Sequence, residues 1–110
     1  MSRFFTVNGK KYKAVPFTFN TVCELEDNGV PLQEMQKKPM SMVRAYFAIC
    51  LNGDKERAGK EIEEHVISGG DFTELYTVMG DEMNDSDFFR ALNKKTDEED
   101  QQVENEKKTK

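Results

Sequence analysis

Between Met42 and Leu51 the chain runs Met-Val-Arg-Ala-Tyr-Phe-Ala-Ile-Cys-Leu, ten residues with Arg44 as the single charge. As a helix this segment is apolar almost all the way round, and such a helix must be covered on every side. At about 15 Å it is far too short to cross a bilayer, which takes about 20 apolar residues. It therefore belongs at the centre of a small domain or in an interface. The rest of the chain must supply its covering. Of 110 residues, 36% are hydrophobic and 34% charged, so the covering elements have to be amphipathic.

All eight Phe and three Tyr lie between Phe4 and Phe89, whereas 96–110 contains Val103 as its one aliphatic residue. The sequence thus divides into a folded domain over 1–95 and a charged acidic tail over 96–110, expected to be disordered. The fold class expected is α+β, an N-terminal hairpin packed on four to five short helices.

The hairpin is carried by Asn8-Gly9, a pair that accepts positive φ at both centres of a type I′ turn. A two-residue loop sets Val7 opposite Lys10 and Phe5 opposite Tyr12. Phe5, Val7, Tyr12 and Ala14 then share one face, leaving Phe4 among Thr6, Lys11 and Lys13 on the other. A large aromatic on a lysine-rich face marks Phe4 as a candidate partner contact.

Thr18 or Asn20 caps a helix over Phe19–Asp27, with Thr21-x-x-Glu24 also in capping-box form, and Asn28-Gly29 stops it. Pro31 opens a short helix through Gln36, which Pro39 closes. Ser41 is expected to cap the apolar helix, Asn52-Gly53 to end it and Asp54 to cap the next. That helix, about Lys55–Ser68, is charged apart from Ala58, Ile62, Val66 and Ile67, the narrow stripe of a surface helix. After Gly69-Gly70, Asp71-x-x-Glu74 is a second capping box, with Phe72, Leu75, Tyr76, Met79 and Met83 on one face. The phase breaks at Asn84-Asp85-Ser86, before a last helix of about Asp87–Lys94. Phe88, Phe89 and Leu92 there are the clearest excess of apolar side chains, and a docking surface is the functional reading of them.

Chemistry is poorly supplied. The chain has one histidine, His65, read as a semi-exposed surface residue. Cys23 and Cys50 lie in apolar helical patterns and read as reduced, buried thiols; with His65 they make three zinc ligands where four are needed. A Gly69-Gly70-Asp71 anion site would be filled by its own carboxylate. The acidic run at Asp97–Asp100 lacks the spacing of a calcium loop. No cofactor, metal or catalytic residue is expected, and the chain reads as a non-enzyme. The 1–95 segment carries 15 acidic and 13 basic residues without a basic cluster, so neither nucleic acid nor membrane is an expected partner. There is no basic flank and hydrophobic block of a secretory signal at the N-terminus.

The order of features is similar to that of a known family. A Phe-rich strand, an Asn-Gly turn and a Tyr-bearing strand lead to Phe17-Thr-Phe-Asn20, then Cys23-Glu-Leu-Glu26 with Asn28-Gly29, then Lys38-Pro-Met-Ser-Met-Val-Arg-Ala45, then Gly-Gly-Asp before the last helices. Over residues 3–92 the chain resembles the small tail assembly chaperones of long-tailed (siphovirus-type) bacteriophages and prophages, particularly of Gram-positive hosts. The resemblance implies a non-catalytic protein of the host bacterial cytoplasm that coats the tape measure protein before the tail tube forms around it. It also implies absence from the finished virion, the tail tube protein as a further partner, and a longer form made by programmed frameshift. Glu106-Lys107-Lys108 is the run suited to such a slip. The family defines no binding residue by motif, so the candidates Phe4, Phe88, Phe89 and Leu92 rest on their own chemistry. Homo-oligomerisation through the Met42–Leu51 helix or the Phe88-Phe89 region is a further expectation. The competing class is a small acidic inhibitor or antitoxin-like binding module.

Overall fold

The computed structural model describes residues 2–94; the expectations for 96–110, the tail and the slip site among them, lie outside the described residues. The architecture is α+β. Two antiparallel strands, β1 (Phe4–Val7) and β2 (Lys10–Lys13), are followed by α1 (Phe19–Asp27), a 3-10 turn (Leu32–Glu34), α2 (Pro39–Cys50), α3 (Lys55–Ile67) and α4 (Thr73–Asn84). A fifth helix, α5, occupies residues 87–94.

The hairpin has the expected register, Val7 against Lys10 and Phe5 against Tyr12. Asn8 and Gly9 take φ of 53° and 74°, the conformation a type I′ turn demands. Phe5, Val7 and Ala14 are buried, and Thr6, Lys11 and Lys13 face out. Phe4 is 46% exposed, with the Lys11 ammonium 4.6 Å from its ring centre. Residues on one face of a hairpin meet diagonally, and this cation–π contact gives the exposed ring a partner within its own sheet.

α2 is the centre of the molecule. Met42, Val43, Ala45, Tyr46, Phe47 and Ala48 are all buried on it. Two aromatic clusters radiate from it. On one side Phe47 meets Phe5 and Tyr12 edge-on at 5.8 and 4.9 Å. On the other, Tyr46 stacks on Phe17 at 5.1 Å, and Phe17 takes the edge of Phe89 at 5.7 Å. Aromatic pairs at these separations add to simple area burial, so one helix fastens the hairpin and α5 together. The Tyr46 hydroxyl accepts from Val15 N–H (2.9 Å) and donates to Val15 C=O (2.7 Å), which satisfies both backbone groups just past the end of β2.

Several local expectations are corrected. α2 begins at Pro39, not at a Ser41 cap; the proline that ends the preceding segment also occupies the first helical position, where its missing N–H costs nothing. The expected Pro31–Gln36 helix contracts to the 3-10 turn. Thr18 is the cap of α1, its Oγ1 accepting from Thr21 N–H, while the Thr21 hydroxyl donates to Pro16 C=O at 2.8 Å. With Thr21, Val22 and Leu25 turned inward, Cys23 falls on the outer face and is exposed. Burial pushes the Cys50 thiol up to about 11, the protonated and unreactive state. On α4 the inner stripe is Leu75, Val78, Met79 and Glu82, so Tyr76 faces outward at 40% exposure, its ring 6.1 Å from that of Phe72. Asp71 Oδ1 accepts from Thr73 N–H at 3.0 Å. Glu74, instead of returning to the cap, accepts from Thr6 N–H on β1.

Candidate functional site

The α4–α5 corner is built around Ser86. Its buried Oγ donates to Phe17 C=O and accepts from Phe89 N–H at 3.2 Å, so one hydroxyl caps α5 and ties it to the segment before α1. Arg90 holds the same corner from outside, Nε to Asn84 C=O at 3.1 Å and Nη2 to Asp85 C=O at 3.0 Å. These bonds set the rotation of α5. Phe89 is directed at Phe17, and Phe88 at Phe19 of α1 at 5.7 Å. Phe19 itself is 61% exposed.

Beside this corner a groove of about 760 Å³ opens between the 3-10 turn and the α4–α5 pair. Its apolar floor comes from Leu32, Met35, Met83, Phe89 and Leu92, and its rim from Gln33, Gln36, Lys37, Asn84 and Asn93. An apolar floor with a few polar groups around it is the usual make-up of a binding cleft. Two thioethers in the floor make it adaptable to the shape of what enters.

Of the four sequence candidates, Phe89 and Leu92 line this groove. Phe88 is half-buried on the adjoining face against Phe19. Phe4 lies apart, under Lys11, with no ring contact to the others among the described residues. The sequence reading missed Leu32, Met35 and Met83. Each is an ordinary apolar residue in its own segment, and the groove exists only because the 3-10 turn comes to rest beside helices some fifty residues further on.

The same C-terminal end of α4 also carries the main charge cluster. Arg3 reaches Asp81 (3.9 Å), Glu82 (3.2 Å) and Asp85, and its guanidinium holds the Asp85 carboxyl below the usual carboxylate range. Glu82 is largely buried, and the Arg3 guanidinium gives its carboxylate an ion-pair partner there.

His65 is more engaged than a surface histidine. Its Nδ1 accepts from Asn8 N–H at 2.9 Å and its Nε2 lies 2.9 Å from Asp71 C=O, which makes Nδ1 the acceptor and Nε2 the donor. The ring lies over Gly70, where a Cβ would come within 2.5 Å of it. Both nitrogens are thus used in joining the hairpin turn, α3 and the loop before α4. Among the described residues no group of three or more His, Cys, Asp or Glu could hold a metal ion, and no helix is long and apolar enough to cross a membrane. Compared with family models, curated proteins and solved structures, the chain matches none.

Proposed function

We propose that this protein is a non-catalytic assembly chaperone. It binds amphipathic helical segments of a phage tape measure protein in the groove between the 3-10 turn and α4–α5. The observation that carries the reading is the groove itself, with Met35, Met83, Phe89 and Leu92 on its floor and amide side chains on its rim. One apolar face of a helix fits such a floor, while its polar flanks meet the rim. A tape measure protein is a long, helix-rich rod that aggregates while its apolar face is exposed, and many copies of a small protein of net charge −5 would keep it dispersed. The similarity in order of the sequence features to tail assembly chaperones supports the same role. On this reading the protein acts in the host bacterial cytoplasm, self-associates along the rod, gives way to the tail tube protein, and is absent from the finished virion.

The test is co-expression with the product of the very long gene expected beside a tail tube gene. The tape measure protein should be soluble and co-purify with this chain. Replacing Leu92 and Met35 with Glu should return it to the insoluble fraction while the chaperone itself stays folded. A tape measure protein that is soluble alone, or that ignores the double substitution, would contradict the proposal.

A further inference from the structure

The two edges of the hairpin are finished differently. Val7 pairs with Lys10 and Phe5 with Tyr12, and Ala14 N–H donates to Arg3 C=O at 2.8 Å. The hydrogen-bonded pairs are therefore those of Arg3, Phe5 and Val7, and the intervening residues turn their N–H and C=O groups outward. Along β1 the outward donors of Thr6 and Asn8 are taken by Glu74 of α4 and His65 of α3. Along β2 the outward groups belong to Lys11 and Lys13, and their backbone N–H and C=O meet no partner among the described residues. Just past Lys13 the edge closes, because both backbone groups of Val15 are occupied by Tyr46.

An open edge is a template for another strand unless something blunts it. No proline or bulge interrupts β2, and what it carries instead is Lys10, Lys11 and Lys13, all exposed. Those charges reject a second copy of the same strand, since pairing β2 with β2 sets lysine beside lysine. The same charges complement carboxylates. Lys10 already lies 3.6 Å from Glu61, whereas Lys11 and Lys13 have no ion pair among the described residues. They also stand on one face, two residues apart, the spacing at which an incoming strand presents alternate side chains.

We propose that the outer edge of β2 is a docking strand for an extended, acidic segment of a partner protein. The segment's backbone adds to the sheet at Lys11 and Lys13, and carboxylates at alternate positions lie beside the two lysines. This site is separate from the helix-binding groove and does not depend on it.

The probe is a blocked heptapeptide of alternating Glu and Val, added at low salt to the full-length 15N-labelled chain, with an alternating Lys–Val peptide as control. The acidic peptide should shift the Lys11 and Lys13 amides and slow their hydrogen exchange by about tenfold or more, with the effect fading as salt is added. Lys13→Pro removes an outward donor without breaking a ladder bond and should abolish that protection. The Lys11→Glu/Lys13→Glu double variant keeps the backbone intact and should exchange preference, accepting the Lys–Val peptide and rejecting the acidic one. The proposal is overturned if millimolar acidic peptide leaves both amides unchanged, if the two peptides bind equally, or if both amides are already protected in the free protein.

Discussion

α2 and α3 follow one another in the chain, have nearly equal lengths, 12 and 13 residues, and pack on one another, yet different contacts hold each to the hairpin. α2 is buried on almost every side; its contact with the hairpin is aromatic, and Phe17 links it through ring contacts to α5. α3 buries Ala58 alone, half-buries Ile62, and leaves Ile67 76% exposed. Much of what fixes α3 is directional and polar. The Asn8 side chain donates to Glu61 (3.3 Å) and Glu64 (2.7 Å), its N–H donates to His65, and Lys10 pairs with Glu61. Burial is non-directional and tolerates small displacements at modest cost. A polar clamp holds only while its geometry lasts, here a positive-φ turn on one side and a glycine on the other. The same small domain thus has a core that resists change and a lateral element that responds to it.

The comparison breaks most visibly at Phe47. Phe47→Ala empties the contact between α2 and the hairpin and should cost about 3–5 kcal/mol, a large share of the total stability of a small domain. Chemical denaturation measures it; a loss below about 1 kcal/mol would place the core elsewhere. Next come two tyrosines given the same substitution. Tyr46→Phe leaves the part-buried N–H and C=O of Val15 without their partner and should cost about 1–3 kcal/mol. Tyr12 carries a buried hydroxyl without a hydrogen-bond partner among the described residues, so Tyr12→Phe should leave stability unchanged or raise it by up to about 1 kcal/mol. Equal losses from both would refute the assignment of their hydroxyls.

Gly70→Ala sharpens the contrast from the α3 side. The new methyl drives the His65 ring from its place and should cost about 1 kcal/mol. Exchange should rise at the Asn8 amide and the C-terminal turn of α3 while α2 amides keep their protection. Uniform loss of protection would mean that α3 is part of the same cooperative core.

The smallest effect is electrostatic. Asp85 has its pKa lowered from 3.8 in the folded state, so its contribution is present above that value and is lost as pH falls through the folded pKa. The stability gap between wild type and Arg3→Gln should be constant above about pH 5 and close as pH falls below about 4. A gap that persists in acid would mean that Arg3 acts by packing.

What the sequence made legible follows the same division. Strict alternation around Asn8-Gly9 determines the hairpin faces, and an apolar run with one charge belongs at a domain centre or an interface, so β1, β2 and the covered character of α2 are readable. Periodicity alone turns Tyr76 of α4 inward, because it cannot register Arg3, which reaches from the other end of the chain to pair with the buried Glu82. Cys23 lies outside although its segment reads as apolar, because Thr21, bonded to Pro16 C=O, turns inward with Val22 and Leu25. Phe88, Phe89 and Leu92 stood out as an apolar excess. Their groove partners Leu32 and Met35 did not, since only the docking of a 3-10 turn makes them neighbours.

The claim that this groove receives a helix can be read residue by residue from methionine methyl groups. Met35 and Met83 line it, Met42 and Met79 lie in the core, and Met40 is exposed elsewhere. Methyl-labelled protein titrated with an amphipathic helical peptide from the tape measure protein should shift Met35 and Met83 and leave Met40 and Met42 in place. Unmoved Met35 and Met83 signals at saturating peptide, or shifts confined to Met40, would contradict it.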